Sequence, residues 1–422
     1  MVLTTAGVGL VLVTALALGL AHLVGRGPSR QPTMTWPLSG RTQVDEVHLG
    51  WSGDPRTSVA IAWRSTPWAG NGAAVRINHR WQRLPAHAAQ PRPGRADAYE
   101  VVHVTGLRPG TTYPYVIRSR AGTASEGSFT TAPDQPGPFR FDVFADQGDC
   151  RHSPAACRVI AGIAADRPAF VLGAGDLSYA NQNGPGAWDQ WFDEVQAFAR
   201  AAPLMPTVGN HEFPKGDPSS AFPDPIASYK GRFVLPPAHD EDYYSFDYAG
   251  VHVVALPEVY VPMGPRSAFR RWLTADLSAA NRDPRVRWTV AFDHRPFHSS
   301  GRRHGPYEKF VQDELPILEQ QHVDLVLSGH EHNYERTLPL RAGVPVSQDA
   351  HHAIRGAGTT YVVTGGGGAS TYDDFGPMPS WDAARQAHHE HLRVDVRPTA
   401  LHLLAVTDYG KVIDDLTIAA AR

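Results

Sequence analysis

The chain has 422 residues, 42% of them apolar and 19% charged, with ten tryptophans; this suits two or three packed domains of ~100–200 residues each and excludes a disordered, collagenous or multi-span membrane protein. A formal net charge of −3 argues against a dedicated nucleic-acid binder, which would carry a basic field. Residues 31–133 hold eleven Arg against six acidic residues, a net of +5, and residues 1–30 add Arg26 and Arg30, so the chain from residue 134 onward carries −10.

Residues 1–25 are mostly Val, Leu, Ala and Gly and contain no Lys, Arg, Asp or Glu. Residues 1–30 are therefore predicted to be a signal peptide or a single membrane anchor, either of which places the rest of the protein outside the cytoplasm, secreted or membrane-anchored. Ala15/Ala17 and Gly19/Ala21 offer small-residue cleavage positions. The positive side chains lie only behind the apolar run, at Arg26 and Arg30, which runs against the positive-inside rule.

Between residues 40 and 133 short apolar alternations are broken by frequent turn signals, predicting an all-β module. Val59, Ile61 and Trp63 point one way and Ser58, Ala60 and Ala62 the other, as in a half-buried strand. The run Leu107-Arg108-Pro109-Gly110-Thr111-Thr112-Tyr113 is similar to the tyrosine corner of a fibronectin type III sandwich. Pro133, Pro136 and Pro138 then make a stiff linker.

From residue 139 to 420 strand-like runs (Phe139 to Phe144, Ala169 to Leu172, Val286 to Phe292, Val323 to Leu327) alternate with helix-like segments (Ala187 to Ala201, Phe269 to Ala280), which predicts an α/β domain. Leu392 to Val396, Leu401 to Val406 and Lys411 to Ile418 return to strands, as a sheet closing the domain requires. Cys150 and Cys157 fall in an expected loop and can close a small disulfide ring in an exported protein, two unrelated thiols being the alternative.

Most of these strand runs lead into metal-type ligands: Asp146-Gln147-Gly148, Gly175-Asp176-Leu177-Ser178-Tyr179, Gly209-Asn210-His211-Glu212, Asp293-His294, and Gly329-His330-Glu331-His332. In α/β folds the C-terminal strand ends converge on one crevice, so groups spread over the sequence can meet in space. Each motif alone reads as a turn or a surface pair; five in order at strand ends do not arise readily by chance.

The ordered set resembles the purple acid phosphatases of the calcineurin-like metallophosphoesterase superfamily. Tyr179 and the run Gly329 to Arg336 carry the most specific part of the resemblance, and Ala291-Phe292-Asp293-His294 departs from the family's Val-x-x-His. The resemblance implies a four-layer metallophosphoesterase β-sandwich flanked by helices, preceded by the fibronectin III-like domain. It also implies hydrolysis of small-molecule phosphate monoesters by a dinuclear centre whose bound hydroxide attacks phosphorus in line. Asp146, Tyr179 and His332 would hold Fe(III); Asn210, His294 and His330 would hold a second divalent metal (Zn, Fe or Mn); Asp176 would bridge them. Hard anionic oxygens suit ferric iron, and neutral nitrogens with an amide suit the divalent ion. His211 and His304 are the candidate acids, Arg303 and His211 the candidate phosphate contacts, and His298 a rim residue. Glu331 and Glu335 receive no role beyond orientation or solvation. His351, His352, His388, His389 and His391 read as loop histidines. A phosphodiesterase or nucleotidase on the same core, and a non-enzymatic cell-surface module, are the alternatives.

Overall fold

Alternating apolar residues in a β-rich chain can leave water only if sheets stack or are covered by helices. The computed structural model describes residues 44–65, 72–88, 98–119, 122–213, 226–237, 243–258 and 260–421; the predicted signal or anchor segment lies outside them. Among the described residues no helix is long and apolar enough to cross a membrane.

The N-terminal part consists of two four-stranded antiparallel sheets. One orders Val44–Gly50, Val59–Ser65, Ala98–Val104 and His87–Ala88; the other orders Arg80–Pro85, Gly72–Ile77, Thr112–Ser119 and Gly122–Thr130. The expected corner is present, with the Tyr113 hydroxyl accepting from the Arg108 amide at 2.8 Å. The strand Val59–Ser65 is not half-buried. Its second face is covered as well, because Ala60, Ala62 and Val101 pack against Val234 of the following part of the chain. Polar contacts reinforce this docking: Arg64 lies 2.9 Å from Asp189, and the Tyr115 hydroxyl donates to the Arg200 carbonyl at 2.7 Å.

Two seven-stranded sheets follow. In the first, Phe139–Phe144 pairs in parallel with Val171–Ala174, which pairs with Leu204–Thr207, and the late strands Glu390–Arg397, Ala400–Thr407 and Val412–Ala419 extend it antiparallel on the other side. In the second, Val251–Ala255, Trp288–Phe292, Leu325–Ser328 and Thr360–Thr364 are parallel neighbours. Phe141, Val143, Val290, Phe292, Leu325, Leu327 and Val394 belong to one buried cluster between the sheets.

Alternation sends the other residues of these strands outward. Phe144 meets Trp191 and Phe198 of the helix Gly186–Ala199, while Ala291, Val326 and Tyr361 meet Phe269, Leu273 and Leu277 of the helix Ala268–Arg282. The layers are therefore helix, sheet, sheet, helix, as the resemblance implies. Each fully buried Leu, Ile or Phe here stabilises by about 1.5–3 kcal/mol relative to exposure.

The loop expected around the cysteines is partly helical. Helix Pro154–Asp166 begins right after Ser153, Cys157 lies in its first turn, and the two cysteines are disulfide-bonded with Cα atoms 5.2 Å apart. Pro154 is compatible with the start of a helix because its missing N–H would have had no intrahelical acceptor there. His391, read as a loop residue, is 1% exposed in the strand Glu390–Arg397. His298 is packed against Tyr361 and Trp381 rather than sitting on a rim, and burial lowers its pKa to about 4.

His252 gives this framework a pH dependence. Its ring contacts Asp247 at 2.8 Å and Asp276 at 2.9 Å, an arrangement that needs a proton on both nitrogens. Burial opposes the charge, but the two carboxylates win and raise the pKa from 6.5 to about 9. A raised folded-state pKa stabilises fully below 6.5 and loses that contribution as pH climbs through 9. Between pH 6.5 and 10 the wild type is expected to lose about 1–3 kcal/mol through this group, discounted because Asp247 is exposed. Urea midpoints at both pH values for wild type and His252→Asn check this; equal pH slopes would remove His252 as the cause.

Candidate metal centre

The five strand-end motifs meet at one end of the two sheets. Asp146 and Asp176 follow the parallel neighbours Phe139–Phe144 and Val171–Ala174, Asn210 opens a short 3-10 turn after Leu204–Thr207, His294 follows Trp288–Phe292, and His330 and His332 follow Leu325–Ser328. Asp146, Asp176, Tyr179 and His330 have φ of 56°, 51°, 54° and 69°, an uncommon left-handed conformation for residues other than glycine. Such backbone persists when surrounding structure over-determines it, and it concentrates at functional sites. Glycine is needed beside it: a Cβ at Gly329 would stand 2.4 Å from Asp146 Oδ2, and one at Gly209 would stand 2.3 Å from Asp176 Oδ1.

Two groups of donors result. In the first, His332 Nε2 lies 3.1 Å from the Tyr179 hydroxyl and 3.4 Å from Asp146 Oδ1. In the second, His294 Nε2 lies 3.1 Å from Asn210 Oδ1, 3.1 Å from His330 Nδ1 and 3.2 Å from Asp176 Oδ2. Apart from Asn210, which is half-buried, these side chains are buried.

The donor chemistry fits cations. His332 Nδ1 donates to the Ser370 carbonyl at 2.9 Å and His294 Nδ1 to the Ala174 carbonyl at 3.1 Å, so in the neutral rings both Nε2 lone pairs face inward onto carboxylate, amide or phenol oxygens. Lone pairs converging in a buried space require positive charge. The electrostatics agree: burial works against His294, yet Asp176 and Asp146 raise its pKa to about 10. Burial, followed by His294 and Arg295, pushes His330 well down into its neutral form. Burial, Asp146 and Asp176 keep the Tyr179 phenol protonated, so it ionises only against a strong added cation.

His211 packs against Tyr179 with ring centroids 4.3 Å apart and the rings tilted by 36°, contacts Asn181 Oδ1 through Nδ1 at 2.8 Å and places Nε2 3.8 Å from Asp176 Oδ2. His304 and Arg303 are exposed at the mouth. The His304 ring lies 4.0 Å from that of His330, and the Arg303 guanidinium sits 4.9 Å from the Tyr372 ring, which itself stacks on His332 at 4.2 Å.

Several residues without a role in the motif reading support the site. The Glu212 carboxylate accepts from the amides of Asp176, Leu177 and Gly209 at 2.9, 3.0 and 2.8 Å. Glu331 accepts from the amides of His304 and Gly305, and Glu335 from Ser299 and Ser300, so both acidic residues pin the loop that carries Arg303 and His304. Arg295, held by Glu258 at 2.5 Å, brings NH1 to 3.1 Å from His330 Nε2. Tyr334 and Arg336 serve the framework, both bonding Asp414 of the last strand. Position in the motif was the available signal for Glu212, Glu331 and Glu335, since each lies within three residues of a ligand candidate; their partners are remote in sequence or are backbone amides.

Comparison with known proteins matches three family models along the chain: the purple acid phosphatase N-terminal domain over residues 44–131, calcineurin-like phosphoesterase over 139–334, and iron/zinc purple acid phosphatase-like protein C over 358–415. An uncharacterized protein of Mycobacterium tuberculosis is 30% identical over 420 residues, covering 87% of this chain and 77% of its own. Purple acid phosphatase 21 of Arabidopsis thaliana is 36% identical over 249 residues, 57% of this chain and 53% of its own, and acid phosphatase type 7 of Danio rerio is 28% identical over 424 residues, 90% and 92%. Among solved structures, the purple acid phosphatase from yellow lupin seeds superposes with a TM-score of 0.79 at 21% identity, over 90% of this chain and 75% of that one.

Proposed function

The chain belongs to the purple acid phosphatase family, and from that premise we propose that it hydrolyses small-molecule phosphate monoesters at a centre of two metal ions. The observation that carries this reading is the inward convergence of five donor side chains on two histidine Nε2 atoms, Tyr179 and Asp146 on that of His332 and Asn210, His330 and Asp176 on that of His294. Asp146, Tyr179 and His332 would hold Fe(III), to which a phenolate and carboxylates are suited. Asn210, His294 and His330 would hold Zn, Fe(II) or Mn(II), and Asp176 would reach both. Bound, the ions supply Lewis-acid charge to the phosphoryl oxygens and acidify water in the site.

The protein's own groups do the remaining work. Asn181 takes up Nδ1 of His211, which leaves Nε2 facing the site as the atom that hands a proton to the departing oxygen. Burial lowers the His211 pKa while Asp176 draws it up; the first makes the protonated ring a better donor and the second helps retain the proton until it is needed. Arg295, behind His330, and Arg303, at the mouth, add positive charge for a phosphate dianion. His304 lies beside His330, where it can contact the ester oxygen of a bound substrate.

The apolar N-terminal run and the Cys150–Cys157 disulfide support export. Purified protein is expected to show a broad visible tyrosinate-to-iron band with about two ions at this centre, and Tyr179→Phe is expected to lose the band. A variant that kept it would take Tyr179 out of the centre. Kinetics on p-nitrophenyl phosphate and its bis ester test the ester class, and a strong preference for the diester would replace the monoesterase reading.

A further inference from the structure

The outer face of the first sheet, beneath the helix Pro154–Asp166, holds a second group of ligand-type side chains that the phosphatase chemistry does not use. Along Phe139–Phe144 and Glu390–Arg397, Phe141, Val143, Leu392 and Val394 lie in the apolar core. Asp142 and His391, at the alternate positions, therefore turn to the helix side. Asp166 closes the group from the last residue of the helix. One ligand atom from each of the three lies within 4.8 Å of the others, and His391 Nε2 stands 3.1 Å from Asp166 Oδ2 and 3.9 Å from Asp142 Oδ2. Space for the ring comes from Gly162 of the helix, where a Cβ would stand 2.8 Å from His391 Cε1.

The group is short of positive charge at one point. Asp166 receives Arg393 NH1 at 3.0 Å and has Arg140 NH1 at 3.7 Å, while Asp395 receives Arg140 Nε at 2.8 Å. Asp142 is 0% exposed, and neither of its carboxylate oxygens has a hydrogen-bond partner among the described residues; His391 Nδ1 has none either. Arg393 lies across the strand pair from Asp142 with its Nε unpartnered, but its NH1 is turned to Asp166. A buried carboxylate without a donor needs a proton or a cation. The single Nε2–H of a neutral His391 can satisfy Asp166 or Asp142, whereas one cation between them satisfies both oxygens and takes the Nε2 lone pair.

We propose that Asp142, Asp166 and His391 form a further metal site, separate from the phosphatase centre, which takes a Zn²⁺-class divalent cation and staples the helix Pro154–Asp166 to the sheet. One imidazole and two carboxylates are a recurring ligand set for such ions, with a fourth position open to water. Asp166, whose side chain is 14% exposed, provides the entry path. The shorter ligand–ligand distance, 3.1 Å, equals the shortest spacing within the phosphatase centre, and the longer, 3.9 Å, exceeds the 3.4 Å found there.

The test is metal stoichiometry on the full chain. Chelator-stripped protein dialysed to equilibrium against micromolar Zn²⁺ is expected to hold about one zinc ion per chain more than Asp142→Asn and His391→Gln treated in the same way, and the variants as purified are expected to keep the wild-type kcat on p-nitrophenyl phosphate. Equal counts in wild type and both variants would overturn the site and leave Asp142 neutralised by a proton or by Arg140 and Arg393. Should a variant not fold, anomalous scattering at the zinc edge from wild-type crystals decides: a peak between the three side chains supports the site, and its absence there overturns it. The readout is a difference between wild type and these variants, so it stands or falls independently of the phosphatase assignment, which Asp176→Asn probes.

Discussion

Asp176→Asn is expected to lower kcat on a phosphate monoester by about three orders of magnitude, the equivalent of several kcal/mol of lost charge stabilisation, while leaving the fold intact. Three of its contacts point to this. Oδ2 faces His294 Nε2 at 3.2 Å, Oδ1 accepts the His211 amide at 2.7 Å, and its own amide is held by Glu212. Burial favours the neutral acid, but His294 and His211 outweigh it and hold the carboxyl below its usual range, so the group is an anion in place before any ion arrives. Asparagine keeps an oxygen for the His211 amide and removes the charge. Steady-state kinetics with near-UV circular dichroism is the check; a folded variant within tenfold of wild type would take Asp176 out of the centre.

The meeting of the candidate ligands was legible because strand-end placement is a property of local sequence. An apolar run ending in Gly-Asp or Gly-Asn-His marks both the strand and the residue exposed at its end, and the parallel neighbours then bring Asp146 and Asp176 together without further information. What supports the ligands was not legible in the same way. Glu331 and Glu335 act on backbone amides of a loop about thirty residues earlier, a relation that exists only once Leu325–Ser328 lies beside Trp288–Phe292. Arg295 gains its meaning from His330, on the neighbouring strand end.

Two other misreadings have simple causes. The segment of Cys150 and Cys157 was expected to be a loop, yet a helix starts at Pro154, since proline is excluded from helix interiors but not from the first turn. The strand Val59–Ser65 looked half-buried because alanine on its second face is small enough to read as neutral, and that same smallness lets Val234 of the catalytic part approach. Both errors arise where a residue's local preference is compatible with more than one environment and tertiary packing selects among them. His391 belongs here too: it was grouped with His388 and His389 as a loop histidine, and the apolar alternation of Leu392, Val394 and Val396 that marks the strand begins one residue later.

Glu212→Ala should be the most damaging substitution that touches no ligand atom. One buried carboxylate accepts three amides, those of Asp176, Leu177 and Gly209, and so fixes two ligand-bearing loops against each other. Removing it strands three buried donors at about 1–3 kcal/mol each, for a total of about 3–6 kcal/mol once partial relaxation is allowed. Gly209 stands against Asp176 with no room for a Cβ, so the two loops have no slack with which to find other acceptors. Activity is expected to fall a further 10–100-fold in the fraction that remains folded, because Asp176 and Asn210 lose their orientation. Glu212→Gln separates the two effects: its single carbonyl oxygen can accept from one or two of the amides and should recover part of the stability while the activity defect persists. Urea unfolding together with metal content and kcat measures all three quantities, and a Glu212→Ala protein within 1 kcal/mol of wild type would show that the two loops are held by something other than this carboxylate.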